Sequence, residues 1–188
     1  MTIAFIRHGQ TDWNAEGRMQ GGSDIPLNDV GREQAREAAS VLVDGGWDVI
    51  VSSPLSRARE TAAIIADGIE LELGRSYEQL IERNYGEGEG LTRDEIESRW
   101  GSVQKTPGME TLDSVVGRGT AALQQISEEY AGRNVVVVCH GTIIRYTLAK
   151  LAGRPLDQIM NGSISTLDYR DEAWRVLSVN GVELVVEA

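Results

Sequence analysis

Three short apolar runs constrain the fold of this chain more than any other feature of its sequence. They are Thr2–Ile6, Asp48–Ser52 and Val135–Cys139, and a helical pattern follows each of them. Their apolar residues are nearly continuous rather than alternating, which predicts parallel strands that are covered on both faces. Strands that alternate with helices build an α/β protein. The sequence therefore predicts a three-layer α/β/α sandwich around a mostly parallel central sheet.

The helix boundaries are predicted from N-cap residues and from glycine or proline at the ends. For the second helix, Ser53 is the predicted N-cap and Pro54 the first helical residue. The end of the chain, residues 163–186, is predicted to form two or three short strands around turns at 170–172 and 180–181. The predicted helices span about Asn28–Asp44, Pro54–Gly68, a segment from the Thr92-x-x-Glu95 capping box, Leu112–Ala131 and a segment from Gly141 to just before Gly153.

The length of 188 residues fits one domain over residues 1–188. Residues 80–110 are rich in glycine and charge, and we expect them to form a small insertion over the active-site edge of the sheet. Ligands of such sheets bind outside the carboxyl ends of the strands. This rule selects three places, which are Arg7–Gly9, Ser52–Pro54 and His140–Gly141.

The net charge of −11 argues against general binding to nucleic acid or to an anionic membrane, because both need a basic face. No apolar run approaches the roughly 20 residues of a membrane helix. Arg7 and His8 lie where a signal peptide would still be apolar, so we expect no secretion. A local arginine cluster can nevertheless hold a small phosphorylated substrate, because distant charges are screened. The oligomeric state stays open, a homodimer included.

Cys139 is the only cysteine, so the chain has no internal disulfide and fits a reducing cytoplasm. One cysteine and two histidines cannot supply the four ligands of a Cys/His zinc site. The sequence therefore predicts neither a metal nor any other cofactor.

The two histidines of the chain, His8 and His140, each follow a predicted buried strand, and each is followed by glycine. Neighbouring parallel strands would bring both imidazoles to the same end of the sheet. The competing interpretation is that two unrelated histidines lie at strand ends by chance. A neutral imidazole is a good nucleophile, and phosphoryl transfer needs positioning and neutralisation of charge.

Without a metal, arginine must supply the positive charge. Arg7 adjoins His8, and Arg57 lies in the first turn of a helix, where the dipole also favours an anion. The planar guanidinium can bind two phosphate oxygens at once. One imidazole nitrogen must be fixed by an acceptor, and the turn at Gly9 offers a carbonyl for this purpose. Taken alone, Arg57 is more typical of a surface arginine, and Asn14 of a turn residue.

Five stretches of the chain resemble the histidine phosphatase superfamily, in the phosphoglycerate mutase-like branch. That branch also holds fructose-2,6-bisphosphatases and alpha-ribazole phosphatases. The stretches are RHGQTDWNAEGRMQG (7–21), PLNDVGREQA (26–35), SSPLSRARETA (52–62), LIERNYGEGEGLTRDEI (80–96) and VVVVCHGTIIR (135–145). The resemblance implies that His8 is the phosphorylated nucleophile and Glu82 the general acid. It also implies a phosphate pocket and nearby ligand positions made of Arg7, Asn14, Gln20, Gly21, Arg57, His140 and the N–H of Gly141.

The resemblance leaves two activities open, a metal-independent phosphomonoester hydrolase and a cofactor-dependent phosphoglycerate mutase. Mutases carry a longer insertion with adjacent arginines, whereas this chain has only SVQKTPGMETLDSV after Gly101, and Arg93 occupies a lysine position. The short, glycine-rich edge favours the hydrolase. A non-catalytic phosphate-binding protein is a remote alternative. A doubly wound nucleotide-binding module is another, but no strand precedes GxGxxG or GxxxxGK[ST].

Overall fold

The computed structural model describes residues 1–170 and 173–184 of the chain. Over these residues, seven strands form one mixed sheet with helices on both faces. In chain order the elements are β1 (Thr2–Arg7), α1 (Asp12–Ala15), α2 (Asp29–Leu42), β2 (Val49–Ser52), α3 (Ser56–Gly68), β3 (Leu73–Ser76), α4 (Arg93–Trp100), α5 (Leu112–Glu129), β4 (Val135–Cys139), α6 (Gly141–Ala152), β5 (Ile164–Arg170), β6 (Ala173–Val179) and β7 (Val182–Glu183).

The three apolar runs lie side by side in the sheet, whose order is β3-β2-β4-β1-β5-β6-β7. The first four of these strands are parallel, and the last three continue the sheet with antiparallel pairing. The predicted α/β sandwich is therefore confirmed, with a parallel part that holds the strand ends selected above. The antiparallel part is the predicted group of short C-terminal strands.

Successive side chains of a strand point to opposite faces, and this alternation divides the interior into two cores. Ile3 and Phe5 of β1 pack in the core that contains residues of α5 and α6. Ala4 and Ile6 pack in the core that contains residues of α2 and α3. Val135–Val138 of β4 follow the same alternation and are fully buried. The sheet is thus covered on both faces, as the continuous apolarity predicts.

The second predicted helix is α3. It begins later than predicted, and the N-cap assignment of Ser53 is wrong. Its N-cap is Leu55, without a side-chain cap, and Pro54 lies before the helix. Ser53 Oγ instead lies 2.7 Å from Nε2 of His140. The hydroxyl of Ser53 is therefore a partner of the His140 imidazole and not the side-chain cap of α3.

Two short elements, α1 and β3, are absent from the sequence prediction. α1 is a single turn that a capping box between Thr11 and Asn14 closes. β3 is an edge strand with Gly74 and Arg75 exposed, so it lacks an apolar run. The predicted turn at 180–181 is confirmed, because both of its residues have positive φ. Asp171 and Glu172 of the other turn, and the predicted strand end at Val186, lie outside the described residues.

Residues 80–110, called the rim segment below, contain α4 and two short 3-10 turns. The segment is joined to the chain after β1 by backbone hydrogen bonds between Met19 and the pair Gly90 and Leu91. The capping box at Thr92 and Glu95 is confirmed. None of the helices in the described ranges is long and apolar enough to span a bilayer.

Candidate active site

The register between β1 and β4 brings the two histidines together. Arg7 is paired with Cys139 at the ends of these strands, so His8 and His140 follow directly at neighbouring positions. Their ring centroids are 5.1 Å apart and the rings are tilted by 60°. Both side chains are buried. The expected meeting of the two imidazoles is therefore present in the structure.

The ring of His8 is fixed by the backbone that follows it. Its Nδ1 lies 2.6 Å from the carbonyl oxygen of Gly9, which makes Nδ1 the protonated nitrogen and leaves a lone pair on Nε2. The N–H of Gly9 donates to Thr61 Oγ1 at 3.1 Å. A Cβ atom at Gly9 would collide with the carbonyl oxygen of Gly31, so only glycine permits this approach of the loop to α2. The expected carbonyl partner is thus Gly9 itself.

Arg57 lies against the free nitrogen of His8. Its Nε donates to His8 Nε2 at 3.3 Å, and its two terminal nitrogens donate to the carbonyls of Ser23 and Gly21 at 2.8 Å each. The side chain is fully buried. Burial lowers the pKa of Arg57 to about 10, partly offset by Glu82 and Asp24, so the group stays charged near neutrality.

Arg7 supplies a second guanidinium at the end of β1. Its Nη1 donates to the carbonyl of Ile159 at 2.6 Å. Its Nε is buried and has no hydrogen-bond partner within the described residues. A Cβ atom at Gly141 would lie only 3.2 Å from this nitrogen, so the glycine lets the start of α6 approach the guanidinium. Burial lowers the pKa of Arg7, and the charge of Glu82 opposes this effect.

Burial also lowers the pKa of both histidines well below the ordinary range. For His8 the positive charges of Arg7 and Arg57 add to this effect, whereas the bond to Gly9 opposes it. For His140 the charge of Arg57 adds to the burial. Both imidazoles are therefore neutral near pH 7, which is the form that a nucleophile requires, and a neutral imidazole still has one N–H to donate to an anion.

Glu82 belongs to the rim segment, and its carboxylate lies against the first residues of α6. Its carboxylate accepts hydrogen bonds from the backbone N–H groups of Thr142 at 3.0 Å, Ile143 at 3.3 Å and Arg83 at 2.7 Å. The resemblance implies that the N–H of Gly141, at the same helix start, binds phosphate, and this stays a prediction. The N–H groups of the next two residues, Thr142 and Ile143, bind Glu82. The helix terminus is thus used to hold a carboxylate at the mouth of the site.

Arg118 of α5 holds the backbone around Glu82. Its Nη1 donates to the carbonyls of Gln79 and Ile81 at 2.7 and 2.8 Å. Its other nitrogens donate to the carboxylate of Glu110 at 2.8 and 2.9 Å. Because Gln79 and Ile81 lie at the start of the rim segment and Glu110 ends it, one guanidinium fixes both ends of the segment.

The remaining predicted residues, Asn14, Gln20 and Gly21, belong to the chain that follows β1. Gln20 Oε1 accepts from Thr11 Oγ1 at 2.8 Å, and its buried Nε2 has no partner in the part of the chain that the structure describes. The amide oxygen of Asn14 accepts from Asn161 Nδ2 at 3.2 Å. Gly21 contributes the carbonyl that Arg57 binds.

A cavity of about 510 Å³ opens over these groups. Its wall includes Arg7, His8, Asn14, Gln20, Glu82 and Gly141 from the predicted set. Arg57 and His140 adjoin His8 of this wall, and the carbonyl of Gly21 accepts from Arg57. Five arginines but only one carboxylate, that of Glu82, line the cavity, although the chain as a whole is acidic. The arginines are Arg7, Arg18, Arg83, Arg93 and Arg145.

Residues 1–170 and 173–184 contain no group of three or more His, Cys, Asp or Glu side chains that is arranged to hold a metal ion. Positive charge at the site comes from guanidinium groups.

Sequence reasoning missed two polar residues of the site. Asn161 donates to the carbonyl of His8 at 3.0 Å as well as to Asn14, but its loop after α6 carries no pattern that marks it. Ser53 contacts His140, and its position directly after β2 is the signal that a search of strand ends would have found. The strand-end rule selects Ser53 as a place near the ligand, whereas the helix-cap pattern assigns the same residue to the start of a helix.

Paired imidazoles and guanidinium groups at the carboxyl ends of parallel strands define a class of phosphate-handling α/β enzymes. The chain belongs to the histidine phosphatase superfamily (branch 1), whose family model matches residues 3–181.

Two curated relatives and one solved structure illustrate the match. The chain is 35% identical to the uncharacterized phosphatase PhoE of Bacillus subtilis (strain 168), over 95% of this chain and 93% of that protein. It is 36% identical to phosphoglycerate mutase-like protein 4 of Arabidopsis thaliana, over 93% of this chain and 82% of that protein. A mycobacterial glucosyl-3-phosphoglycerate phosphatase superposes with a TM-score of 0.86 at 29% identity, over 96% of this chain and 99% of that one. These matches support phosphatase activity.

Proposed function

We propose that the protein is a metal-independent phosphomonoester hydrolase that acts through a phosphohistidine at His8. The observation that carries this proposal is the fixed tautomer of His8. Its Nδ1 is bound to the carbonyl of Gly9 at 2.6 Å, and its Nε2 lone pair faces a guanidinium that an anion can draw away.

The first half-reaction begins when the phosphate of the substrate enters the cavity. Arg57 then donates to a phosphate oxygen in place of His8 Nε2, which frees the lone pair for attack. The bond between Nε2 and phosphorus forms as the bond between phosphorus and the ester oxygen breaks. Glu82 enters this step as the carboxylic acid and gives its proton to the departing alkoxide, which leaves as the alcohol, and Glu82 ends the step as a carboxylate.

In the second half-reaction, Glu82 takes a proton from a water molecule that attacks phosphorus from the opposite side. The bond between phosphorus and Nε2 breaks, inorganic phosphate leaves, and His8 returns to its neutral state. The negative charge that develops on the phosphoryl oxygens is balanced by Arg7, Arg57 and the neutral donor His140. The buried nitrogens of Arg7 and Gln20 that find no partner among the described residues are further candidate donors.

The arginines of the cavity wall support a substrate whose leaving group is itself anionic. Arg145 and Arg83 use their Nε on the carbonyls of Leu156 and Glu110, so their terminal nitrogens are left for a ligand. The mycobacterial relative is named for glucosyl-3-phosphoglycerate, an ester whose glycerate part carries a carboxylate beside the phosphate. We propose a small phosphorylated metabolite of this kind as the substrate class.

A matched pair of substrates tests this class. 3-Phosphoglycerate and glycerol 3-phosphate differ only in a carboxylate that replaces a hydroxymethyl group. We expect kcat/KM to be about tenfold higher for 3-phosphoglycerate, because one charge-assisted hydrogen bond contributes about 1.5–3 kcal/mol. Equal values for the two esters would contradict an anionic leaving group without affecting the proposed chemistry at His8.

Phosphoglycerate mutase is the second candidate, because one relative at 36% identity carries a mutase-like name. A mutase must keep water from its phosphohistidine, whereas the segment that lines this cavity is short and rich in glycine. We expect negligible conversion of 3-phosphoglycerate to 2-phosphoglycerate with a bisphosphate primer. Rapid conversion without release of inorganic phosphate would assign the protein to the mutases.

The decisive experiment is quenching of the reaction with a ³²P-labelled phosphate ester in alkaline detergent. We expect a labelled protein whose phosphate is lost in acid and retained in alkali, as a phosphoramidate requires, and whose label maps to His8. Excess chelator should leave both label and turnover unchanged. His8→Ala should carry no label, with unchanged melting temperature as the control for folding. Label on another residue, or turnover that needs a divalent cation, would refute the proposal.

A further inference from the structure

The hydroxyl of Ser53 makes a buried contact that the proposed chemistry does not yet use. Ser53 Oγ lies 2.7 Å from Nε2 of His140, and both side chains are fully buried. Ser53 is held at the end of β2 by its N–H, which donates to the carbonyl of Val138 at 2.9 Å. The serine and the histidine are therefore fixed relative to one another by the sheet itself.

The direction of this hydrogen bond follows from the other partners of the serine. The backbone N–H of Leu55 donates to Ser53 Oγ at 3.4 Å, so the oxygen already has a donor. No other acceptor for the hydroxyl proton is found in the described part of the chain. The hydroxyl can rotate freely and gives its proton to Nε2 of the imidazole. His140 must then carry its own proton on Nδ1.

Nδ1 of His140 is buried and has no hydrogen-bond partner in either described range. With a proton it is a donor that a phosphate oxygen would satisfy. In the opposite tautomer its lone pair would meet the negative charge of the phosphate. Only the first arrangement suits an anion site, and burying a donor without a partner is otherwise unfavourable by about 1–3 kcal/mol.

We propose that Ser53 is a positioning residue that holds His140 in the Nδ1–H tautomer, so that this imidazole donates to the phosphoryl group. The inference rests on the proposed function for its purpose, but the tautomer is a property of the resting protein. His8 and His140 then share one tautomer and present opposite edges. The carbonyl of Gly9 fixes His8 so that it exposes a lone pair, and Ser53 fixes His140 so that it exposes an N–H.

Nitrogen NMR of protein labelled with ¹⁵N-histidine tests the tautomer directly. The chain has only two histidines, so the spectrum contains two imidazoles, and His8→Ala assigns them. We expect His140 in the wild type to show a protonated Nδ1 and an unprotonated Nε2. A protonated Nε2 in the wild type overturns the proposal, and this measurement needs no substitution at Ser53.

Ser53→Ala should give a mixture of the two tautomers at His140 and lower kcat/KM for p-nitrophenyl phosphate about tenfold, as expected for one lost hydrogen bond to a charged group. Ser53→Thr keeps the hydroxyl and should restore the single tautomer. Ser52→Ala is the matched control, because Ser52 is equally buried but faces Ser76 Oγ at 3.4 Å. An unchanged His140 spectrum in Ser53→Ala would overturn the positioning role. Full turnover by His8→Ala would instead refute the proposed function and leave the tautomer result standing.

Discussion

The cluster of Arg7, His8, Arg57 and His140 and the rim segment are held in different ways. Strand register and close backbone packing place the cluster, because Arg7 is paired with Cys139 and Gly9 lies against Gly31. Side-chain clamps hold the rim segment, chiefly Arg118 on its ends. The cluster is thus part of the sheet, whereas the rim segment is attached to it.

A second clamp on the rim segment shows the same principle. The carboxylate of Glu89 accepts from the N–H groups of Gly22 and Ser23 at 3.0 and 2.9 Å, and from Ser23 Oγ at 2.6 Å. Ser23 in turn supplies a carbonyl to Arg57. Under the proposed function, the reacting groups belong to the part that the sheet fixes, whereas the general acid and the substrate contacts belong to the part that a few side chains hold. We therefore expect substitutions in the two parts to have graded effects.

The largest effect is expected for Arg57→Lys. A lysine keeps the charge but cannot replace the three hydrogen bonds to Ser23, Gly21 and His8. We expect kcat for p-nitrophenyl phosphate to fall by about 10³-fold, as for loss of a main transition-state donor. Arg99→Lys is the control from the rim segment, since its side chain is exposed and does not line the cavity, and it should change kcat less than twofold. Similar losses in both variants would break the comparison.

A smaller and selective effect is expected for Glu82→Gln. The amide can occupy the same site but cannot deliver a proton, so alkyl phosphates should slow by about 10²-fold. p-Nitrophenyl phosphate should slow less than tenfold, because its leaving group ionises easily. Glu87→Gln, an exposed neighbour in the rim segment, is the control. Equal losses for both substrate classes would remove Glu82 from the role of general acid.

Arg118→Met sharpens the comparison, because Arg118 holds Glu82 without touching the cavity wall. Loss of the clamp should slow alkyl phosphates about tenfold and leave p-nitrophenyl phosphate nearly unchanged, as for a misplaced general acid. The variant should also lower the free energy of unfolding by about 2 kcal/mol, since Glu110 and the carbonyls of Gln79, Ile81 and Glu82 lose a partly buried donor. Arg36→Met on α2, which pairs only with exposed Glu33, should match the wild type. Parallel losses on both substrates would place the effect in the cluster instead.

The smallest effect concerns pH and reports on the cluster alone. Both histidines have lowered pKa values in the folded protein, so they stay neutral where the unfolded chain takes up protons, below about pH 6.5. Their contribution to stability is complete above that pH and is lost as pH falls, by at most about 1.4 kcal/mol per histidine and pH unit. Denaturant unfolding between pH 7.5 and 5.5 measures this loss. Two ¹⁵N-histidine signals that titrate near pH 6.5 would contradict it.

Sequence reasoning predicted the cluster well for a physical reason. Parallel strands with continuous apolar runs have few possible registers, so residues at their ends meet in space, as His8 and His140 do. The same reasoning could not place Glu82, because its position depends on Arg118, which lies 36 residues away in the chain and carries no motif. It also assigned the wrong role to Ser53, because a serine hydroxyl can serve equally well as an N-cap or as the hydrogen-bond partner of a histidine.

The hydrogen bond from Arg57 to His8 has a consequence for the resting enzyme. The electron pair that would attack phosphorus is already shared with a guanidinium N–H, so a neutral electrophile in the cell meets a nucleophile that is engaged. Only an anionic ligand can replace Nε2 of His8 as the hydrogen-bond acceptor of the Arg57 guanidinium. Under the proposed mechanism, this exchange selects anions before any bond to His8 forms.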